Sequence, residues 1–405
     1  MNAARKDVEV IGLVGLAHST SHFFHLILAP LFPWLKAEFA LSYAELGLLM
    51  TVFFLVSTMV QASAGFWVDH RGARPVLFTG IALLALSAFV LALAPNYWLL
   101  ILGAAIAGMG NGVFHPSDYT LLNQLVTPKN LGHAYSVHGI TGYLGWAFAP
   151  IFLLGITTLF DWKVALFSAS ALALCVLLLL WMRKDTLLDQ PKQSPAPSQE
   201  NDLKVKQATF AFMKLPTIWM CWGFFFLTAL ALAGIQSFSP SALQAIYEVP
   251  LSVTTQAYTC FMLASAGGMI LGGFAASRVH QPDLVITFSF LLSAFMAVIV
   301  GLGVFPSFMV PVLFALMGLG AGVAGPSRDL MIRSATPKGS TGRVYGMVYS
   351  GLDSGMALGP FMFGLLMDAQ LPPIIFFAIA AFQVGAIFTA VQLSGKTRTQ
   401  TAQFQ

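Results

Sequence analysis

The feature that most constrains this chain is a succession of about twelve apolar stretches, each close to the ~20 residues a helix needs to cross a hydrocarbon core. Their centres fall at Ala17–Leu31, Met50–Val60, Leu83–Leu91, Ala104–Phe114, Gly139–Phe148 and Ala169–Leu180. After a polar break they resume at Phe224–Gly234, Met262–Gly272, Leu291–Val300, Phe314–Val323, Tyr349–Phe361 and Ile375–Phe388. In lipid only helices and closed barrels satisfy their own backbone groups. Barrel strands alternate in polarity over about ten residues, and these runs do not alternate. The expected fold class is therefore an all-α integral membrane protein with twelve transmembrane helices. Composition supports this: 9% of the 405 residues are charged, against roughly 25% in soluble domains. Too few charges are available to clothe a water-exposed surface, which excludes a soluble enzyme, a disordered chain and a nucleic-acid binder. Cys175, Cys221 and Cys260 all lie inside apolar runs, which argues against a disulfide framework.

The break from Arg183 to Lys214 contains Pro191, Pro195 and Pro197 among clustered Ser, Gln and Lys, the composition of a flexible linker. It divides the chain into a six-helix bundle over 1–182, a linker over 183–214, a second six-helix bundle over 215–394 and a tail over 395–405. Met1–Glu9 is short, and no A-x-A cleavage signal follows the first apolar run, so that run reads as a retained first helix. Lys and Arg set the orientation. Of the 20 in the chain, only Lys36 and Lys163 fall in one set of alternating connections, leaving 18 for the other. Both termini and the linker are expected to face the cytoplasm.

The two halves repeat at an offset of 210 residues. Gly108-Met-Gly-Asn-Gly-Val-Phe-His-Pro-Ser117 answers Gly318-Leu-Gly-Ala-Gly-Val-Ala-Gly-Pro-Ser327. Gly132, Tyr135, Gly145 and Pro150 answer Gly342, Tyr345, Gly355 and Pro360. Glycines at such spacing let membrane helices approach closely. Parallel six-helix repeats build two-lobed transporters whose site lies near the midplane. Two pseudo-symmetric bundles are therefore expected.

Between the second and third spans lies Gly65-Phe-Trp-Val-Asp69-His-Arg71-Gly72-Ala-Arg74-Pro75. Gly72 allows a tight turn, and Arg71 and Arg74 hold the loop on the cytoplasmic side. The segment resembles the signature loop of the major facilitator superfamily. That resemblance implies that Asp69 braces the start of the eleventh span, near Thr341-Gly342-Arg343, where an anion beside a helix N-terminus gains ~0.3–2 kcal/mol. The second-half copy, Gly273-Phe-Ala-Ala-Ser277-Arg278, lacks the Asp. Ala17-His18 through Pro33 with Lys36-Ala-Glu38-Phe39, and Val113-Phe114-His115-Pro116, resemble the fosmidomycin-resistance-type exporters of that superfamily. The chain departs from that branch at His22, where the branch carries an Asp, and at Ser117, where it carries an acid.

Ionisable groups inside apolar spans are costly and point to function. Asp353 lies ten residues beyond Arg343, or ~15 Å along a helix, which suits a carboxylate that loads and releases a proton near the midplane. A structural Asp bonded to a neighbouring helix is the alternative. Asp118 and Arg328 occupy equivalent repeat positions, and a pair between them would form an inner gate. Arg328 pairing within its own turn, or Asp329 bridging Arg333 at i, i+4, would be the local alternative. His18, His22 and His25 share one helix face at i, i+4 and i+7. They suit substrate contact, proton transfer, transition-metal binding or packing, and His115 and His138 are candidates for the same region. Asn111, Tyr143 and Gln236 are further candidates, whereas Trp146 and Phe148 read as packing.

No Gly-x-Ser-x-Gly, no His-Glu-x-x-His and no complete phosphate-binding Gly-x-x-x-x-Gly-Lys-Ser/Thr loop is present, so neither enzymatic chemistry nor ATP as energy source is expected. The expectation is a secondary transporter working by alternating access, without cofactor or resident metal, in a bacterial-type inner membrane. Protons are the expected coupling ion, the bilayer and a small solute the expected partners, and a monomer the expected state. Export of a drug-like or organic-anion compound is implied by the branch resemblance. Uptake of a metabolite or metal complex, motivated by the histidine face, is the rival. A non-transporting sensor would need a soluble output domain for which the linker is too short.

Overall fold

The structure, a computed structural model, describes residues 3–188, 215–279, 281–335 and 341–402, and every element among them is helical. The first half holds α1 (Ala3–His25), α2 (Phe32–Phe39), α3 (Tyr43–Arg71), α4 (Ala73–Ala92), α5 (Tyr97–Asn111), α6 (Phe114–Leu125), α7 (Leu131–Leu159) and α8 (Trp162–Met182). The second holds α9 (Pro216–Ser237), α10 (Ser239–Tyr247), α11 (Leu251–Arg278), α12 (Pro282–Leu302), α13 (Val310–Ala335), α14 (Thr341–Asp368) and α15 (Pro372–Ala402). Eleven helical stretches among the described residues are long and apolar enough to cross a membrane. The remaining expected span is α14, 28 residues long, with Asp353 in its middle portion. Most of the expected linker, 189–214, and the last tail residues, 403–405, lie outside the described residues.

Helix ends follow local chemistry. Ser42 and Glu45 form a capping box at the start of α3, satisfying two orphan amides reciprocally. Asp161 caps α8 by accepting from the Val164 amide at 2.7 Å. Gly72, at φ 89°, is at once the last cap of α3 and the first of α4. That conformation is open to glycine and strained for other residues, so the signature loop turns in a single residue. Arg71 is exposed in the last turn of α3, and the Arg74 guanidinium donates to the Lys184 carbonyl at 3.1 Å. No atom lies within 4 Å of where a side chain would begin at Gly65. The side chains of Asp69, Arg333 and Arg343, and with them the expected brace, lie outside the described residues.

Two spans are interrupted. The first runs through α1, a short 3₁₀ turn at Ala29–Leu31, and α2; the fourth breaks between Asn111 and Phe114. Pro116 falls in the opening turn of α6, where a missing N–H costs nothing. Pro150, Pro326 and Pro360 sit inside α7, α13 and α14.

The chain divides into two compact units. The first contains α1 to α8 together with Gln236–Phe238 and Pro360–Gln370; the second contains the rest of α9 to α15. Within each, the repeat appears as the same packing device. A Cβ at Gly108 would collide with the Phe53 carbonyl of α3, and one at Gly112 with the Ser57 carbonyl. In the second unit, Gly318 and Gly322 stand the same way against the Phe261 and Ser265 carbonyls of α11. Gly110 faces the Gly80 carbonyl of α4, and Gly320 the Ser289 carbonyl of α12. Gly145 on α7 meets the Ser19 carbonyl of α1, as Gly355 on α14 meets that of Phe226 on α9. Backbones this close leave no room for any side chain, which is how small residues drive helix association where lipid offers no hydrophobic gain. The exteriors are apolar, with Trp98, Phe288, Phe295 and Phe388 all exposed, as a surface facing lipid requires.

Candidate functional site

The polar side chains that sequence reasoning singled out in the first half converge inside the first unit. α1 carries His18, His22 and His25 on successive turns of one face, and α7 packs against that face through Gly142 and Gly145. The interruption between α5 and α6 places Asn111 at the end of one helix and His115 and Asp118 at the start of the next. α7 adds His138 and Trp146. His18, His25, Asn111, Asp118 and His138 are buried, and Asp118 is 0% exposed. His22 and His115 are half-buried.

Two linked networks result. In one, a single oxygen of Asp118, Oδ2, meets His18 Nδ1 at 3.2 Å and His138 Nε2 at 3.1 Å. The two imidazoles stack with centroids 3.5 Å apart. With the carboxylate ionised, both ring nitrogens donate to it, so His18 keeps its Nε2 lone pair free. In the other, Trp146 Nε1 donates to His25 Nδ1 at 3.2 Å. An indole is a donor only, so the proton of neutral His25 sits on Nε2, which donates to Asn111 Oδ1 at 2.9 Å. The same oxygen accepts from Ser21 Oγ at 2.6 Å, and Asn111 Nδ2 donates to Ser57 Oγ at 2.8 Å. His22 joins the two networks, 4.3 Å from His18, 4.8 Å from His25 and 4.3 Å from Trp146 between centroids. His115 lies 5.4 Å from His18, with its Nδ1 3.2 Å from Gln61 Oε1. Tyr143 sits edge-on to Trp146 at 5.4 Å.

The Asp118 carboxylate turns onto two histidines of its own unit, since a buried carboxylate takes partners within hydrogen-bond reach. Arg328 Nε donates to the adjacent Asp329 Oδ1 at 2.9 Å, and its guanidinium lies 5.0 Å over the Phe225 ring. A gate that pairs Asp118 with Arg328 in one transport state stays a proposal. One expectation needs correction: Trp146, expected to be packing, is a hydrogen-bonding member of the cluster. Phe148 is 46% exposed and lies 5.9 Å from Phe23. Ser21, Ser57 and Gln61 were missed; Ser57 and Gln61, four apart in an apolar span, were the available signal. Elsewhere, Gln236 is buried at the end of α9 with neither side-chain polar atom hydrogen-bonded among the described residues. Asp353 is half-buried on α14. Ser117 and Ser327, repeat counterparts, are both fully buried with unbonded hydroxyls among the described residues.

Comparison with known proteins places this arrangement. The family profile of the Major Facilitator Superfamily matches residues 14–281 and 240–402. The chain belongs to the Major Facilitator Superfamily. Within that superfamily it is 23% identical over 286 residues to the fosmidomycin resistance protein of Escherichia coli (strain K12), covering 70% of this chain and 68% of that one. It is 25% identical over 370 residues to the MFS-type transporter YfnC of Bacillus subtilis (strain 168), covering 89% and 87%. Among solved structures, a bacterial homologue of the human lysosomal transporter Spinster, in an inward-facing and occupied conformation, superposes with TM-score 0.72 over 98% of this chain and 97% of that one, at 15% identity. The nucleoside transporter NupG superposes with TM-score 0.75 over 95% and 99%, at 14% identity. These two similarities establish the fold. The superfamily membership makes the chain a multi-pass membrane transporter resembling the fosmidomycin-resistance branch.

Proposed function

We propose that this superfamily member is a secondary active exporter, moving a small drug-like or organic-anion compound outward in exchange for protons by alternating access. The observation that carries the reading is the buried imidazole and amide cluster on α1, α5, α6 and α7. Ionisable groups held inside an apolar bundle are expensive and are retained where a polar cargo must be met. The half-buried imidazoles of His22 and His115, neither of them tied to Asp118, are the members of the cluster that would meet an anionic or polar solute. Asp353, midway along α14, is assigned the coupling proton. Likeness to the fosmidomycin resistance protein supports export. The 18-to-2 distribution of Lys and Arg supports cytoplasmic termini in an inner membrane.

Inverted membrane vesicles with an imposed interior-acid gradient, screened against a panel of organic anions and cationic drugs, test this. Accumulation that a protonophore abolishes is expected. Asp353→Asn is expected to lose at least ten-fold of the gradient-driven rate while retaining solute exchange without a gradient. Flux indifferent to the gradient would identify a uniporter and overturn the coupling. The histidine face favours a second reading, uptake of a metabolite or metal complex, for which right-side-out vesicles would accumulate solute instead.

A further inference from the structure

We infer that His18, His22 and His115 form a binding site for a divalent transition-metal ion of the zinc, cobalt and nickel kind. One ligand nitrogen from each ring can be chosen so that all three lie within 4.8 Å of one another. The hydrogen bonds leave at least one nitrogen unengaged on each ring. His18 Nδ1 is engaged by Asp118, leaving Nε2, and His115 Nδ1 is engaged by Gln61, leaving Nε2. His22 Nδ1 is buried and has no hydrogen-bond partner among the described residues. Three lone pairs therefore remain where three rings meet.

Gly142 borders two of the three rings. A Cβ at that position would lie 2.7 Å from His22 Nδ1 and 3.1 Å from His18 Nε2. The residue that would fill the gap has no side chain, and zinc–imidazole bonds of ~2.0–2.1 Å require the three nitrogens to draw together about the ion. The surrounding shell fits as well. A metal-bound histidine commonly donates its other N–H to a carboxylate, which fixes its tautomer and raises its basicity. Asp118 does this for His18, and its negative charge offsets part of the ion's charge. The alternative trio, His18, Asp118 and His138, has its facing atoms already spent on one another and serves as support. Imidazoles without thiolates suit zinc, nickel and cobalt rather than magnesium or calcium. Three protein ligands leave a fourth position for water or an anionic oxygen.

The inference goes beyond the transport reading and stands without it, since binding is read on purified protein with no flux. Full-length protein in detergent, stripped with chelator, would be titrated with Co²⁺. One equivalent is expected to produce the visible absorption of a tetrahedral site, which Zn²⁺ then displaces and Mg²⁺ leaves unaltered. His22→Ala and His115→Ala should each weaken binding at least ten-fold. Asp118→Asn should weaken it about 10–100-fold, as for other outer-shell partners. Gly142→Ala should weaken it with all three ligands intact, and His70→Ala, an exposed histidine on α3, should change nothing. Melting curves of the metal-free variants separate loss of the site from loss of the fold. Absence of a tetrahedral Co²⁺ spectrum in the parent protein overturns the proposal. So does unchanged affinity in folded His22→Ala and His115→Ala.

Discussion

Gly318→Leu is expected to abolish recovery of folded protein, and Gly318→Ala to lower its melting point clearly. Gly267→Ala, on the helix that Gly318 packs against, should not. The contrast follows from what each new Cβ would meet. At Gly318 it collides with the Phe261 carbonyl, a backbone atom that cannot rotate away, whereas at Gly267 nothing lies within 4 Å. Overpacking in a close-packed interior costs ~1–3 kcal/mol even when side chains can adjust, and here α11 and α13 must separate. An alanine without collision gains up to ~1 kcal/mol in helix propensity, so the two substitutions differ in sign. The first-half pair, Gly108→Ala against Gly155→Ala, should behave alike, since Gly108 faces the Phe53 carbonyl and Gly155 faces nothing within 4 Å. Melting monitored by fluorescence-detected size exclusion would read all four. Equal midpoints for Gly318→Ala and Gly267→Ala would refute the backbone-contact account.

Asn111→Leu is the second large effect expected. This one amide bonds Ser21 and His25 on α1 and Ser57 on α3, tying three helices together. Interhelical hydrogen bonds in membranes average ~0.6 kcal/mol each, so three of them amount to about 2 kcal/mol. Stranding the buried His25 N–H adds a desolvation cost of ~1–3 kcal/mol. A loss of about 3–5 kcal/mol is therefore expected, seen as a large fall in melting temperature. The signature of the network is non-additivity. His25→Phe combined with Asn111→Leu should cost clearly less than the sum of the two, because neither partner is then left unpaired. Strict additivity would show that Asn111 and His25 contribute independently.

Much of the fold was legible because its signals are local. Span length, the polar break and the glycine repeat are each read within one window or by aligning two. The histidine face was legible for the same reason, three imidazoles at one helical period on α1. Their partners were not. His18 finds Asp118 100 residues away, and no spacing rule connects them. Asp118 and Arg328 shared repeat positions, which suggested a pair. Nothing in the sequence says which donors a fully buried Asp118 meets within its own unit, or that Arg328 meets the acid beside it. Trp146 was misread because an indole in an apolar helix is the same whether its N–H has an acceptor or not. Gly142 gave no sequence signal, because its contribution is the absence of a side chain beside two particular nitrogens.

The paired glycine contacts have an evolutionary corollary. They give every position in one half an address in the other, and at the addresses of the cluster's histidines and Asn111 the second half carries neither imidazole nor amide. Ala321 stands for Asn111, Gly325 for His115 and Val348 for His138, while Asp353 stands for Tyr143. Since Ser19 and Phe226 meet matching glycines, the address of His18 holds Phe225 and that of His22 holds Ala229. One chain thus carries two castings from a common mould, one inscribed with imidazoles and one left plain. Properties that arise from helix packing should be found twice in this protein, and properties that arise from the histidines only once. The plain half is a control experiment that the protein already contains.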